Sequence, residues 1–281
     1  MRAPGGPAGD TPLQGIKLAS LVASIHKSES APAGMSAAEW QLRIDLAAAY
    51  RLAAIYGWTD LNNTHFSARV PGPDHHFLLN PFGMLFDEIT ASSLIKVDPD
   101  GNVLGDSDYP ANPAGFVIHG AIHMAAPRAQ CIIHTHSRFG TAVAMQKQGL
   151  LPASQKALTV MGWLAYHDFE GPALSTDERP RIVADLGEKS ILVLRNHGLL
   201  TVGESVGEAF VWMYRIETAC RQQIDALSGG GELSPLSAQT QQKSIDLGLA
   251  MYGKGGFIEV GREWPALLRQ LERHGGTAYR A

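Results

Sequence analysis

The chain has 281 residues, with 23 Lys and Arg against 27 Asp and Glu and a formal net charge of −4 at pH 7. Its 45% hydrophobic and 18% charged content is that of a folded globular protein, which excludes chain-wide disorder, and the mildly acidic balance excludes a basic nucleic-acid footprint. Two cysteines, Cys131 and Cys220, are too few for a disulfide framework. No apolar run approaches the roughly 18 residues of a membrane span, and the stretch 18–28 is too short and too interrupted for a signal peptide, so the expectation is a cytoplasmic protein without membrane or nucleic-acid partners.

Residues 1–35 read as a flexible N-terminal tail, with a short helix pattern at 13–27 and a linker-like stretch at 28–35. Ser36-Ala-Ala-Glu39 has the form of a capping box, in which the serine caps a backbone N–H and the glutamate reaches back. The helix it opens spans 37–56, with Leu42, Leu46, Tyr50 and Ala53 on one stripe and Gly57 as the stop. HFSARV (65–70) and HFLLN (76–80) flank the turn PGPDH and predict a hairpin. LIKVD (94–98) and Val103-Leu104 flank a Pro99-Asp100-Gly101 turn.

Asn112-Pro113 predicts a cap and first helical residue, with the helix running to about 126. CIIHTH (131–136) reads as a strand and 137–147 as helical, while 148–163 gives no clear pattern. LAYHDF (164–169) is a strand candidate, and a helix at 178–187 leads into the apolar strand SILVLRN (190–196). A tight turn at His197-Gly198 leads to LLTVG (199–203), and Ser205-Val-Gly-Glu208 opens a helix to about Leu227, ended by SGGG. The expected domains are therefore the tail (1–35), one α/β or α+β domain (36–230) and a C-terminal helical extension (231–281) packing on it. No nucleotide-binding glycine motif is present.

Chemistry is concentrated in the histidines. His134 and His136 stand two apart on a strand, so both side chains share a face and can hold one transition metal. His197, directly after a buried strand, is the third candidate ligand, and three histidines leave a coordination position open. The same H-x-H is also compatible with a buried pair that only hydrogen-bonds. His119 and His123, four apart on a helix, share a face as ligands, supporting partners or a pocket wall. His65, Ser67 and Arg69 on the first hairpin are candidate substrate contacts, since the planar arginine fork suits phosphate or carboxylate, but they can equally cap and pair the hairpin. Tyr166, with His167 and Asp168, makes a polar break in an apolar stretch, either a substrate contact or a strand end.

The segments GWTDLNNTHFSARVPG (57–72), FLLNPFGMLFDEITASSLIKVD (77–98), NPAGFVIHGAIHMAAP (112–127), CIIHTHSRFGTAVAM (131–145), LAYHDFEG (164–171) and LRNHGLLTVGESVGEAF (194–210) resemble, in order and over about residues 38–230, the class II aldolase/adducin family. The resemblance implies an α/β/α sandwich with a central, mainly antiparallel sheet, and homo-oligomers, often tetramers. It implies one divalent metal ion per subunit, zinc first with iron or manganese as alternatives, on His134, His136 and His197. There the metal acts on a small-molecule substrate by polarising a carbonyl as a C–C bond breaks or a carboxylate leaves.

Two departures matter. The family's aldolases carry an acid/base Glu four residues before a helical His; matching that His to His119 places Gly115 at the Glu position. Thr64-His65 replaces their phosphate-binding Gly-Asn. THFSAR is closer to the adducin-like branch, in which adducin's head domain is an interaction module. The leading expectation is a metal-dependent lyase, of aldolase or decarboxylase type, on a hydroxy- or oxo-acid or carbonyl substrate, with His119 and His123 as candidates for proton transfer. The alternatives are an adducin-like interaction module and a non-haem iron oxygenase for an aromatic substrate, the latter resting on Phe82, Met84, Phe86 and Phe116.

Overall fold

The first helix, α1 (Ala37–Tyr56), begins where the sequence predicts: Ser36 Oγ accepts from the Glu39 N–H at 3.1 Å. The computed structural model describes residues 30–171 and 176–281, and for Pro113, Ala114 and Phe116 the backbone alone. The helix pattern at 13–27 lies outside these residues. The capping box closes by half. The Glu39 carboxylate turns away from Ser36 and pairs with Arg43 at 3.1 Å and Lys96 at 2.7 Å, and Arg43 also donates to the Leu94 carbonyl at 2.7 Å. A buried carboxylate gains more from two cations than from one backbone N–H. Gly57 ends the helix at φ 71°, a left-handed conformation that costs glycine little.

The strands follow as β1 (His65–Arg69), β2 (Phe77–Leu79), β3 (Ile95–Val97) and β4 (Val103–Leu104). After them come α2 (Pro113–Ala125), β5 (Cys131–Thr135), α3 (Arg138–Ala144), α4 (Gln155–Met161), β6 (Leu164–His167), α5 (Arg179–Leu186), β7 (Ile191–Leu194) and β8 (Gly198–Gly203). Helices α6 (Val206–Ser228), α7 (Ala238–Tyr252) and α8 (Trp264–Gly275) complete the order. Helix α4 lies in the stretch 148–163 that has no clear pattern; Ser154 caps it through the Ala157 N–H. The turn before β8 occupies residues 195–197 rather than 197–198, with Asn196 at φ 57°. Asparagine tolerates this conformation, so Gly198 is free to begin the strand.

The strands form one eight-stranded sheet in the order β4-β3-β2-β1-β5-β8-β7-β6. Only β6 and β7 pair in parallel. Alternation along each strand divides the side chains between two helical layers. Ile133 and Val193 join α1 and α6 in the larger core with Tyr50, Phe210 and Trp212. Ile132, Leu192 and Leu200 face the other way, against Ile118 and Ile122 of α2 and Ile182 and Leu186 of α5. This is the α/β/α sandwich with a mainly antiparallel sheet that the sequence leads one to expect.

In the C-terminal segment, Leu268 and Leu271 of α8 enter the larger core, and the Trp264 indole donates to Asp45 at 3.1 Å. No helix of the described residues is long and apolar enough to cross a membrane.

Candidate metal centre

His134 lies on β5 with its side chain toward α2, opposite Leu200 of β8 in the ladder. His136 is two residues on, just beyond the strand end, and His197 ends the turn that opens β8. Gly198 permits that meeting: a Cβ there would sit 2.4 Å from the Thr135 carbonyl oxygen. The backbones of β5 and β8 thus approach closely where both strands carry a histidine. The three imidazole centroids stand 4.8 Å apart in every pairing, and one ligating nitrogen from each ring lies within 4.8 Å of the others.

The outer nitrogens are committed. His134 Nδ1 donates to the Leu199 carbonyl at 2.9 Å, and His136 Nδ1 donates to Asp60 Oδ2 at 2.9 Å. In the neutral, metal-ligating form both Nε2 atoms carry lone pairs, and they stand 3.1 Å apart. Two acceptors at that separation repel unless a cation sits with them, so the donor set fits a divalent ion. Burial, then the neighbouring histidines, hold His134 well below the usual imidazole range, and burial pushes His197 down to about 4. Neutral imidazole is the ligating form.

Asp60 is absent from the residues singled out by spacing; it belongs to the loop after α1, and only the folded chain brings it to His136. Replacing it by alanine is expected to lower metal affinity 10–100-fold by releasing that ring. Competition with a chromophoric chelator measures this, and unchanged affinity would remove Asp60 from the centre. Glu217 of α6 is a second addition. Buried, it accepts from Ser137 Oγ at 2.8 Å, holding the residue after His136, and its pKa is raised by burial.

His65 is the ladder partner of His134, their rings 5.4 Å apart. It is buried against the Gly115 backbone, no side chain of the described residues hydrogen-bonds its ring nitrogens, and burial pushes it down to about 3. A Cβ on Gly115 would lie 2.6 Å from His65 Cδ2 and 2.9 Å from its Nε2. The imidazole thus fills the space beside residue 115. His119, one turn on from Gly115, also packs on that ring, with centroids 4.3 Å apart.

The remaining candidates separate. His123 is stacked on Phe77 and hydrogen-bonded to the Ala129 carbonyl and to Ser67, which also contacts His119. Arg69 is four residues along β1 from His65, about 13 Å at strand rise, and donates to the His123 carbonyl and to His75. Tyr166 projects to the opposite sheet face, its hydroxyl accepting from the Leu150 N–H at 3.0 Å; period-2 alternation carries it away from the histidines. His167, on their side, sits between Asp185 at 2.7 Å and Glu178 at 3.1 Å. Phe86 packs in the larger core against Tyr50 and Phe66, and Met84 borders the same core, so neither forms an aromatic wall for this centre. The Phe116 side chain lies outside the described set.

Comparison with known proteins identifies the fold. Residues 44–224 match the family model "Class II Aldolase and Adducin N-terminal domain". A crystal structure of an aldolase II superfamily protein from Pseudomonas syringae superposes with a TM-score of 0.81 and 53% identity, covering 88% of this chain and 98% of that one. L-fuculose 1-phosphate aldolase from Glaciozyma antarctica PI12 gives 0.74 and 30% identity, over 90% and 97%. Alpha-adducin of Rattus norvegicus is 46% identical over 193 residues, 68% of this chain but 26% of that much longer protein. With the family model spanning well over half of its length and the histidine set in place, the chain belongs to the class II aldolase and adducin N-terminal domain family.

Proposed function

We propose that this chain is a divalent-metal-dependent carbon–carbon lyase, of aldolase or decarboxylase type, acting on a small hydroxy- or oxo-acid or related carbonyl substrate. His134, His136 and His197 are its metal ligands, with zinc as the first metal and manganese as the alternative. The observation that carries the reading is the convergence of three imidazoles, two with outer nitrogens already hydrogen-bonded and inner nitrogens 3.1 Å apart. A divalent ion bound there supplies Lewis acidity to a carbonyl oxygen. Around it, His119 Nε2 is a buried nitrogen that no described residue meets, and the buried His65 ring stands beside it. With Gly115 where a carboxylate would otherwise stand, proton transfer falls to imidazole, which performs it near neutral pH.

The test is elemental mass spectrometry on protein purified without a metal-binding tag, followed by a turnover panel of hydroxy- and oxo-acids. Stoichiometric zinc or manganese with turnover is expected. No metal after incubation with zinc or iron overturns the reading, and iron with substrate-dependent O₂ uptake replaces it by an oxygenase. A second reading, an adducin-type interaction module, is favoured by the alpha-adducin relationship and by Gly115. Fully metallated protein that is inert across the panel selects it.

A further inference from the structure

The histidines meet at one end of the sheet, where β8 begins. Its other end, at Gly203, is about 17 Å away at strand rise and borders a cleft of about 800 Å³, none of whose lining residues belongs to the histidine set. The cleft lies between the β8–α6 turn, Trp163 just after α4, and the loop 253–261 that follows α7. Glycines let that loop close in. A Cβ on Gly256 would lie 2.4 Å from the Met251 carbonyl oxygen, and one on Gly261, at φ 95°, 2.9 Å from the Glu208 amide nitrogen. A cleft of this volume suits a small organic molecule.

Much of its lining is apolar. Val202 and Ile258 join Trp163, Trp212 and Tyr252, whose rings follow one another at centroid separations of 5.4 and 5.6 Å. Trp163 and Tyr252 are partly exposed. The charge of the lining is negative. Arg128 pairs with Glu188 at 3.6 Å and donates to the Gly187 and Lys189 carbonyls at 2.7 Å. Glu204, Glu208 and Glu259 are then set against Lys254 in the remaining lining. Glu208 is held in place: its Oε2 accepts from the Glu204 N–H at 2.8 Å and its Oε1 from the Trp212 indole at 3.4 Å. Each oxygen keeps a second acceptor site. Burial raises its pKa, and Arg128, the cation that bears on it, is engaged with Glu188 and the two carbonyls. The start of α6 favours negative charge, but Glu208 itself supplies it, with Ser205 Oγ accepting from the Glu208 N–H at 3.1 Å.

A partly buried carboxylate gains from a cation, and aromatic faces attract one. Arg215 already lies over the Tyr252 ring in this way, 4.2 Å from its centroid. We propose that this cleft is a binding site for a small organic cation, a primary ammonium or guanidinium on an apolar or aromatic body, with Glu208 receiving the charge and Trp163 and Tyr252 the body. The site is separate from the metal centre and independent of the lyase reading. A neutral molecule of the same shape leaves the carboxylate without its counter-charge, and an anion meets the glutamates, so both are disfavoured.

Isothermal titration calorimetry on the full chain at pH 7 compares three probes of similar shape: phenethylamine, a cation at that pH, phenethyl alcohol and phenylacetate. The amine is expected to bind at least about tenfold more tightly than the other two. Glu208→Gln keeps a capping acceptor and removes the charge; there the preference is expected to fall to about unity, with the circular dichroism spectrum unchanged. Lys254 is exposed, and Lys254→Gln, which removes the opposing cation without touching the core, is expected to tighten amine binding about two- to fivefold. Equal affinity for amine and alcohol, tighter binding of phenylacetate, no binding of the amine, a preference that survives Glu208→Gln, or amine binding no tighter in Lys254→Gln overturns the assignment.

Discussion

Protein carrying His134→Ala and His136→Ala is expected to retain its fold, bind no divalent metal stoichiometrically and show none of the turnover proposed above. One histidine of the set then remains, and a single imidazole does not hold a divalent ion against water. The structural cost is limited. His134→Ala leaves the Leu199 carbonyl without its side-chain donor, worth about 1–3 kcal/mol. His136→Ala releases Asp60, which is half-exposed and can be rehydrated. Circular dichroism reads the fold and elemental mass spectrometry the occupancy. Full metal content in the double variant would show that the ion resides elsewhere.

Gly115→Ala is expected to destabilise the protein by about 1–3 kcal/mol through overpacking, although alanine is ordinarily the better helix former by about 1 kcal/mol. The new Cβ would meet three atoms of the His65 ring at 2.6–2.9 Å. That ring packs between His119 of α2 and His134, so either the helix shifts or the imidazole leaves its place beside the candidate metal centre. Turnover is expected to fall with stability. His65→Ala/Gly115→Ala removes both sides of the clash, and urea denaturation should show the double variant recovering most of what Gly115→Ala loses. Contacting residues are expected to be non-additive in this way. Strictly additive effects would mean that the glycine does not serve the ring.

Much of this architecture is legible locally. Ser36 and Ser205 cap helices through the N–H three residues on, a relation contained within one turn. The first hairpin and the pairing of β3 with β4 follow from alternation and turn residues. The common face of His134 and His136 is a consequence of the strand period alone. Glu39 shows where such rules stop: its spacing matches a capping box, yet Lys96, far along the chain, competes for the carboxylate and wins.

The helix cores, the strand sequence and two of the three converging histidines were therefore implied by short-range periodicity, which any window of residues carries within itself. The choice of partners was not. Asp60 on His136, the Leu199 carbonyl on His134 and the seating of His65 beside Gly115 all require β1 and β8 to flank β5 in one particular register. Those contacts join residues separated by tens of positions, and only the burial of both faces of a single sheet selects that register over its neighbours.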